Sequence, residues 1–166
     1  MRYLPAALAL SLLVAMTSSV GYGAEREPDP RAAALVAQGR SALAAGQVQD
    51  AVDLFEAALA VDPAFTRVYL DLADAARRQG LQGKAIHYYR EALEREPGNL
   101  AALSGEGEAL VEKGAVEKAR RNLARIESIC GGGCEEARQL AAAIASGPPP
   151  VQTAEAAAGD PLIAQH

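Results

Sequence analysis

The sequence predicts an all-α fold, a solenoid of three helix-turn-helix hairpins followed by a C-terminal capping helix. Gly46, Gly80 and Gly114 recur every 34 residues, and Ala51, Ala85 and Ala119 repeat that interval five residues further on. A period of this length marks stacked helical hairpins. Other columns agree in the same register: Leu35 with Tyr69 and Leu103, Phe55 with Tyr89 and Leu123, and Ala58 with Ala92 and Ile126. The expected repeat domain is 32–146, with units 32–65, 66–99 and 100–131 and the capping helix at 134–146.

The chain begins with a segment, 1–23, laid out like a secretory signal peptide. Arg2 precedes an apolar run from Leu4 to Met16, and small and polar residues follow through Ala24. That run is too short to span a bilayer comfortably. Tyr22 is a poor residue two places before a cut after Ala24, which leaves cleavage after Gly21 or Gly23 open and an uncleaved anchor as the alternative. No cysteine follows the run to carry a lipid. The expectation is a secreted or periplasmic protein with no membrane insertion after cleavage, and the compact leader suggests a bacterial source. Residues 24–31 read as a linker, because Pro28 and Pro30 block helix before the first unit.

Within each unit the columns have physical reasons. Gly39, Ala73 and Gly107 are expected to face Ala51, Ala85 and Ala119, since two antiparallel helices approach closely only where side chains are small. Gly46, Gly80 and Gly114 each end a helix-length run, where glycine takes the left-handed conformation that caps exposed carbonyls. Phe55, Tyr89 and Leu123 fill the space between hairpins. Pro63 and Pro97 stop the second helices, lacking an amide donor.

In these columns the chain resembles the tetratricopeptide repeat family, whose pattern sets a bulky residue early in the first helix, small residues at the crossing and a terminal proline. The resemblance implies a right-handed α-solenoid whose first helices line a concave, partner-binding face. It places Val36, Arg40 and Leu43 there from unit one, Arg67, Leu70, Asp71, Asp74, Arg77 and Arg78 from unit two, and Ser104, Glu108 and Val111 from unit three. Arg40 with Arg67 offers a carboxylate charge-assisted hydrogen bonds, while Leu70 and Val111 offer apolar contact. The competing expectation is that Asp74 merely neutralises Arg77 or Arg78 along the helix. Members that grip the C-terminal carboxylate of chaperones use lysines, asparagines and an arginine in five columns. Here those columns hold Val36, Arg40, Asp71, Ala101 and Gly105, which argues against that adaptor role.

Unit three departs from the pattern. Gly131 stands where proline is expected, and Glu106 where unit two has Leu72. Both are read as marks of a terminal repeat with one face uncovered. Ala137, Leu140, Ala141 and Ile144 then follow at helical spacing, as a helix packed on the last hairpin requires. Pro148, Pro149 and Pro150 stop that helix, and the tail, 147–166, is expected to be disordered and either inert or a tether or partner-binding strand.

Cys130 and Cys134 flank three glycines, which let the backbone turn until the sulfurs meet at disulfide distance. The pair is expected to pin the capping helix in an oxidising compartment. A redox site of the two-residue-spacer type and a haem site both lack their remaining residues, and zinc lacks ligands, since His87 lies mid-unit and His166 ends the chain. No nucleophile or phosphate-loop motif is present. We therefore expect no enzyme activity, no cofactor and no metal. The formal net charge is −5, which offers no electrostatic footprint for nucleic acid. The function expected is an extracytoplasmic protein–protein interaction module that binds an unidentified peptide or partner helix in its concave groove. The alternative is a structural subunit of a cell-envelope complex, with a thiol-redox protein using Cys130 and Cys134 as the weaker third.

Overall fold

The computed structural model describes residues 26–149. The leader, residues 24 and 25 of the linker and residues 150–166 of the tail lie outside the described residues. Seven helices follow in order, α1 (Pro30–Ala44), α2 (Val48–Val61), α3 (Arg67–Arg78), α4 (Gln82–Arg95), α5 (Leu100–Glu112), α6 (Val116–Cys130) and α7 (Glu135–Ser146), with no strand among the described residues. They pair as three antiparallel hairpins, α1–α2, α3–α4 and α5–α6, with α7 packed on α5 and α6.

Local chemistry sets each boundary. Asp29 caps α1 by accepting from the amide of Arg31 at 2.8 Å, and Pro30 occupies the first turn, where no amide donor is needed. The first helix of every hairpin ends in the same way. Gly46, Gly80 and Gly114 adopt φ of +79°, +72° and +80°. The amides of Gln47, Leu81 and Ala115 then reach back to the carbonyls of Ala42, Ala76 and Leu110 at 2.7–2.9 Å. This is the double-bonded C-terminal cap that a left-handed glycine permits, made three times at one period.

Phe55, Leu72, Leu103, Ile126 and Leu140 are among the largest side chains with no appreciable exposure. They divide between one cluster spanning α1, α2 and α3 and another spanning α3 to α7. The small column works differently from expectation. Ala51, Ala85 and Ala119 are fully buried, but bulky side chains fill the space above the glycines. A Cβ built on Gly39 would stand 2.5 Å from the Phe55 ring, and one on Gly107 2.6 Å from the Leu140 methyls. Phe55 thus packs within its own hairpin, and Gly107 is small to admit α7.

Two features of unit three are corrected or resolved. Glu106 is not on an uncovered face. It is 7% exposed, with Arg90 Nε of α4 at 2.7 Å and Asn122 Nδ2 of α6 at 2.9 Å donating to its carboxylate. Its column faces the preceding repeat, so the missing neighbour beyond unit three never concerned it. Gly131, standing in the proline position, ends α6 in the left-handed conformation at φ +76°. The sulfurs of Cys130 and Cys134 lie 2.11 Å apart across the turn into α7.

Candidate functional site

The first helices of the hairpins stand side by side, because ion pairs run from each to the next. Arg40 of α1 donates from Nε and Nη2 to the two oxygens of Asp71 on α3, at 2.7 and 2.8 Å. Arg77 of α3 donates to Glu108 of α5 at 2.9 Å and also reaches Glu112. The first pair holds the Arg40 guanidinium above its ordinary pKa, chiefly through the Asp71 hydrogen bonds and against its partial burial. For Arg77, burial favours the neutral form most strongly, yet Glu112 and Tyr89 outweigh it and raise the group. These guanidiniums stay charged and act as struts between repeats.

Asp74 and Arg78 pair along α3 at 3.2 Å, and Arg78 also donates to the carbonyl of Leu43. Neutralisation along the helix therefore occurs at Arg78, whereas Arg77 crosses to α5. Ser104 is buried, with its hydroxyl 3.3 Å from Glu108 and from the carbonyl of Glu136 beneath α7. Leu70 is half-buried against the second core cluster. Val36, Leu43 and Val111, at 3%, 5% and 3% exposure, belong to the core and not to the concave surface.

Arg67 is the exception on this face. It opens α3, is exposed, and has no hydrogen-bond or ion-pair partner among the described residues. The expected Arg40–Arg67 grip is therefore altered, since Arg40 already holds a carboxylate of its own chain.

Beside Arg67 lies an open pocket of about 590 Å³, lined among others by Arg26, Arg40, Asp62, Phe65 and Arg95. Asp62 organises it. One carboxylate oxygen accepts from Arg26 Nη1 at 2.8 Å and from the Ala64 amide at 3.2 Å, and the other from the Asp29 amide at 3.0 Å. The Arg26 hydrogen bond, then those from the Asp29 and Ala64 amides, hold its pKa below the ordinary carboxylate value, against desolvation. Residues 26–29 are thereby strapped over the turn between α2 and α3. On the far wall Arg95 stacks over the Tyr69 ring at 4.4 Å, donates to its hydroxyl at 3.1 Å and pairs with Glu91 at 3.0 Å. Sequence reading singled out none of Arg26, Asp62, Tyr69 and Arg95 as site residues. The available signal was that Asp62 and Glu96 share a column directly before Pro63 and Pro97.

Two family models, each described as tetratricopeptide repeat, match residues 36–89 and 83–144. No curated protein matches the chain. Among solved structures, the Sgt2 TPR domain from Aspergillus fumigatus is similar with a TM-score of 0.65 at 24% identity, over 80% of this chain and 94% of that one. The TPR2B domain of yeast Sti1, in its pHsp70 complex, gives 0.63 at 18% identity, over 71% and 98%. The type III secretion chaperone SycD of Yersinia enterocolitica, with a peptide of the translocator YopD, gives 0.60 at 21%, over 69% and 86%. At these identities the likeness is one of fold.

Proposed function

The chain belongs to the tetratricopeptide repeat family, and from that premise we propose that it is an extracytoplasmic protein–protein interaction module. It holds an extended peptide or a partner helix along the face formed by α1, α3 and α5. Arg67 carries the reading. On a face whose other arginines are matched by carboxylates of the same chain, it has no such partner among the described residues and stands at the mouth of a pocket. A guanidinium with free donors in a partly enclosed place is suited to a carboxylate or to peptide carbonyls. That the similar SycD structure holds a peptide lends support to the class of ligand.

Two observations support the compartment. The apolar run from Leu4 to Met16 has the layout of a leader. The Cys130–Cys134 pair fits an oxidising environment. An intact mass that still includes Met1 would overturn export.

The test of binding is Arg67→Glu, a change on an exposed side chain that leaves the internal pairs in place. Chains that co-purify with the wild-type protein should be lost or strongly reduced with the variant. Unchanged recovery of every partner would move the interaction away from this face.

A further inference from the structure

We propose that the pocket beneath the strap of residues 26–29 is a subsite for a single acidic side chain of the bound peptide, with Arg67 as its charge partner. The inference rests on the peptide-binding reading above and adds what the ligand must carry there. Guanidinium groups donate and never accept, so their unused N–H groups define the complement. Arg40 spends Nε and Nη2 on Asp71, leaving Nη1. Arg26 spends Nη1 on Asp62, and Arg67 spends nothing among the described residues. The pocket therefore presents donors held in place by internal carboxylates, beside one guanidinium, Arg67, that no carboxylate engages among the described residues.

The same walls limit the ligand. Glu96 lines the pocket and accepts from Asn99 at 2.7 Å, and Glu27 lies on the strap. A run of closely spaced carboxylates would meet them, whereas one carboxylate at Arg67 does not require that approach. Phe65, half-buried at the turn, gives the stem of the acidic side chain an apolar contact. The strap is a wall of the site, so the segment before the first repeat takes part in binding.

Nuclear magnetic resonance of the arginine Nε–H groups and backbone amides tests this with blocked tripeptides, acetyl-Ala-Glu-Ala-amide against its glutamine counterpart. The glutamate peptide should give a saturable shift at Arg67 and at the amides of Glu27 and Asp29. The glutamine peptide should bind about tenfold more weakly, the loss of one charge-assisted contact. Arg67→Gln should abolish the response. Arg26→Gln, on an exposed side chain, should weaken it by releasing the strap. Equal response to the two peptides, equal response to inorganic phosphate, or a shift that survives Arg67→Gln would each overturn the subsite. A saturable glutamate response together with unchanged partner recovery by Arg67→Glu would discard the groove reading and keep the pocket. Loss of partners without a glutamate response would do the reverse.

Discussion

The C-terminal end of the array is covered by the chain's own α7, with Leu140 seated over Gly107 and the two cysteines bonded across the turn, while the segment before α1 is strapped over the α2–α3 turn by one buried carboxylate. The first closure is apolar and covalent, and nothing in it is left over for a ligand. The second is polar, and its arginines retain donors that water or a partner can use. The two attachments thus secure different places, the outer face of the last hairpin and the turn between α2 and α3, with interactions of different exchangeability. Buried methyls have no alternative partner in solution, whereas hydrogen bonds at a rim do.

Leu140→Ala should break the contrast most. Leu140 is fully buried, and its truncation leaves a cavity over Gly107, costing about 2–5 kcal/mol in urea denaturation. A loss well under that range would mean α7 is only loosely applied. Cys134→Ser should come next. Closing so short a loop stabilises by about 2 kcal/mol at most in the chain-entropy model, and added reductant should bring the wild-type midpoint down to that of the variant. The smallest effect belongs to the strap. Arg26 and two amides lower the pKa of Asp62 from its ordinary 3.8. The unfolded chain therefore binds more protons in that window, so the contribution is complete above about pH 4 and fades as pH falls through the lowered native value. The drop in urea midpoint from pH 6 to pH 3 should accordingly be larger for wild type than for Asp62→Asn, and equal drops would show that the strap is not held by this carboxylate.

The periodic columns made the helices, their glycine caps and the stacking order legible, because those depend on residues a fixed interval apart. The pairs between first helices were also written in the sequence, at an offset that the column reading passed over. Arg40 and Asp71 are 31 residues apart, as are Arg77 and Glu108, while Arg77 and Glu112 are 35 apart. These offsets bracket one repeat, so opposite charges near that spacing meet on adjacent first helices. Charges read only within a helix leave such pairs out, which is why such a reading offers Asp74 to Arg77 as readily as to Arg78. The strap was illegible for a different reason. Its side-chain donor Arg26 lies in a linker outside the repeats, and the strap forms only because Asp62 is buried with three donors around it.

A stack of similar units can in principle assemble out of step, with one hairpin docked where another belongs. Glu106 makes that mistake costly. Its proper neighbours, Arg90 and Asn122, each lie 16 residues away, one on either side in sequence. Moved back by one unit, α5 would lie on α2, where the column of Arg90 holds Glu56. A carboxylate sheltered from water would then meet a second carboxylate instead of a guanidinium, an unpaired buried charge of the kind that folded chains avoid. The buried carboxylate of Glu106, in a column that holds Leu72 in unit two, thus acts as an address label, telling the third hairpin which of its two predecessors to join.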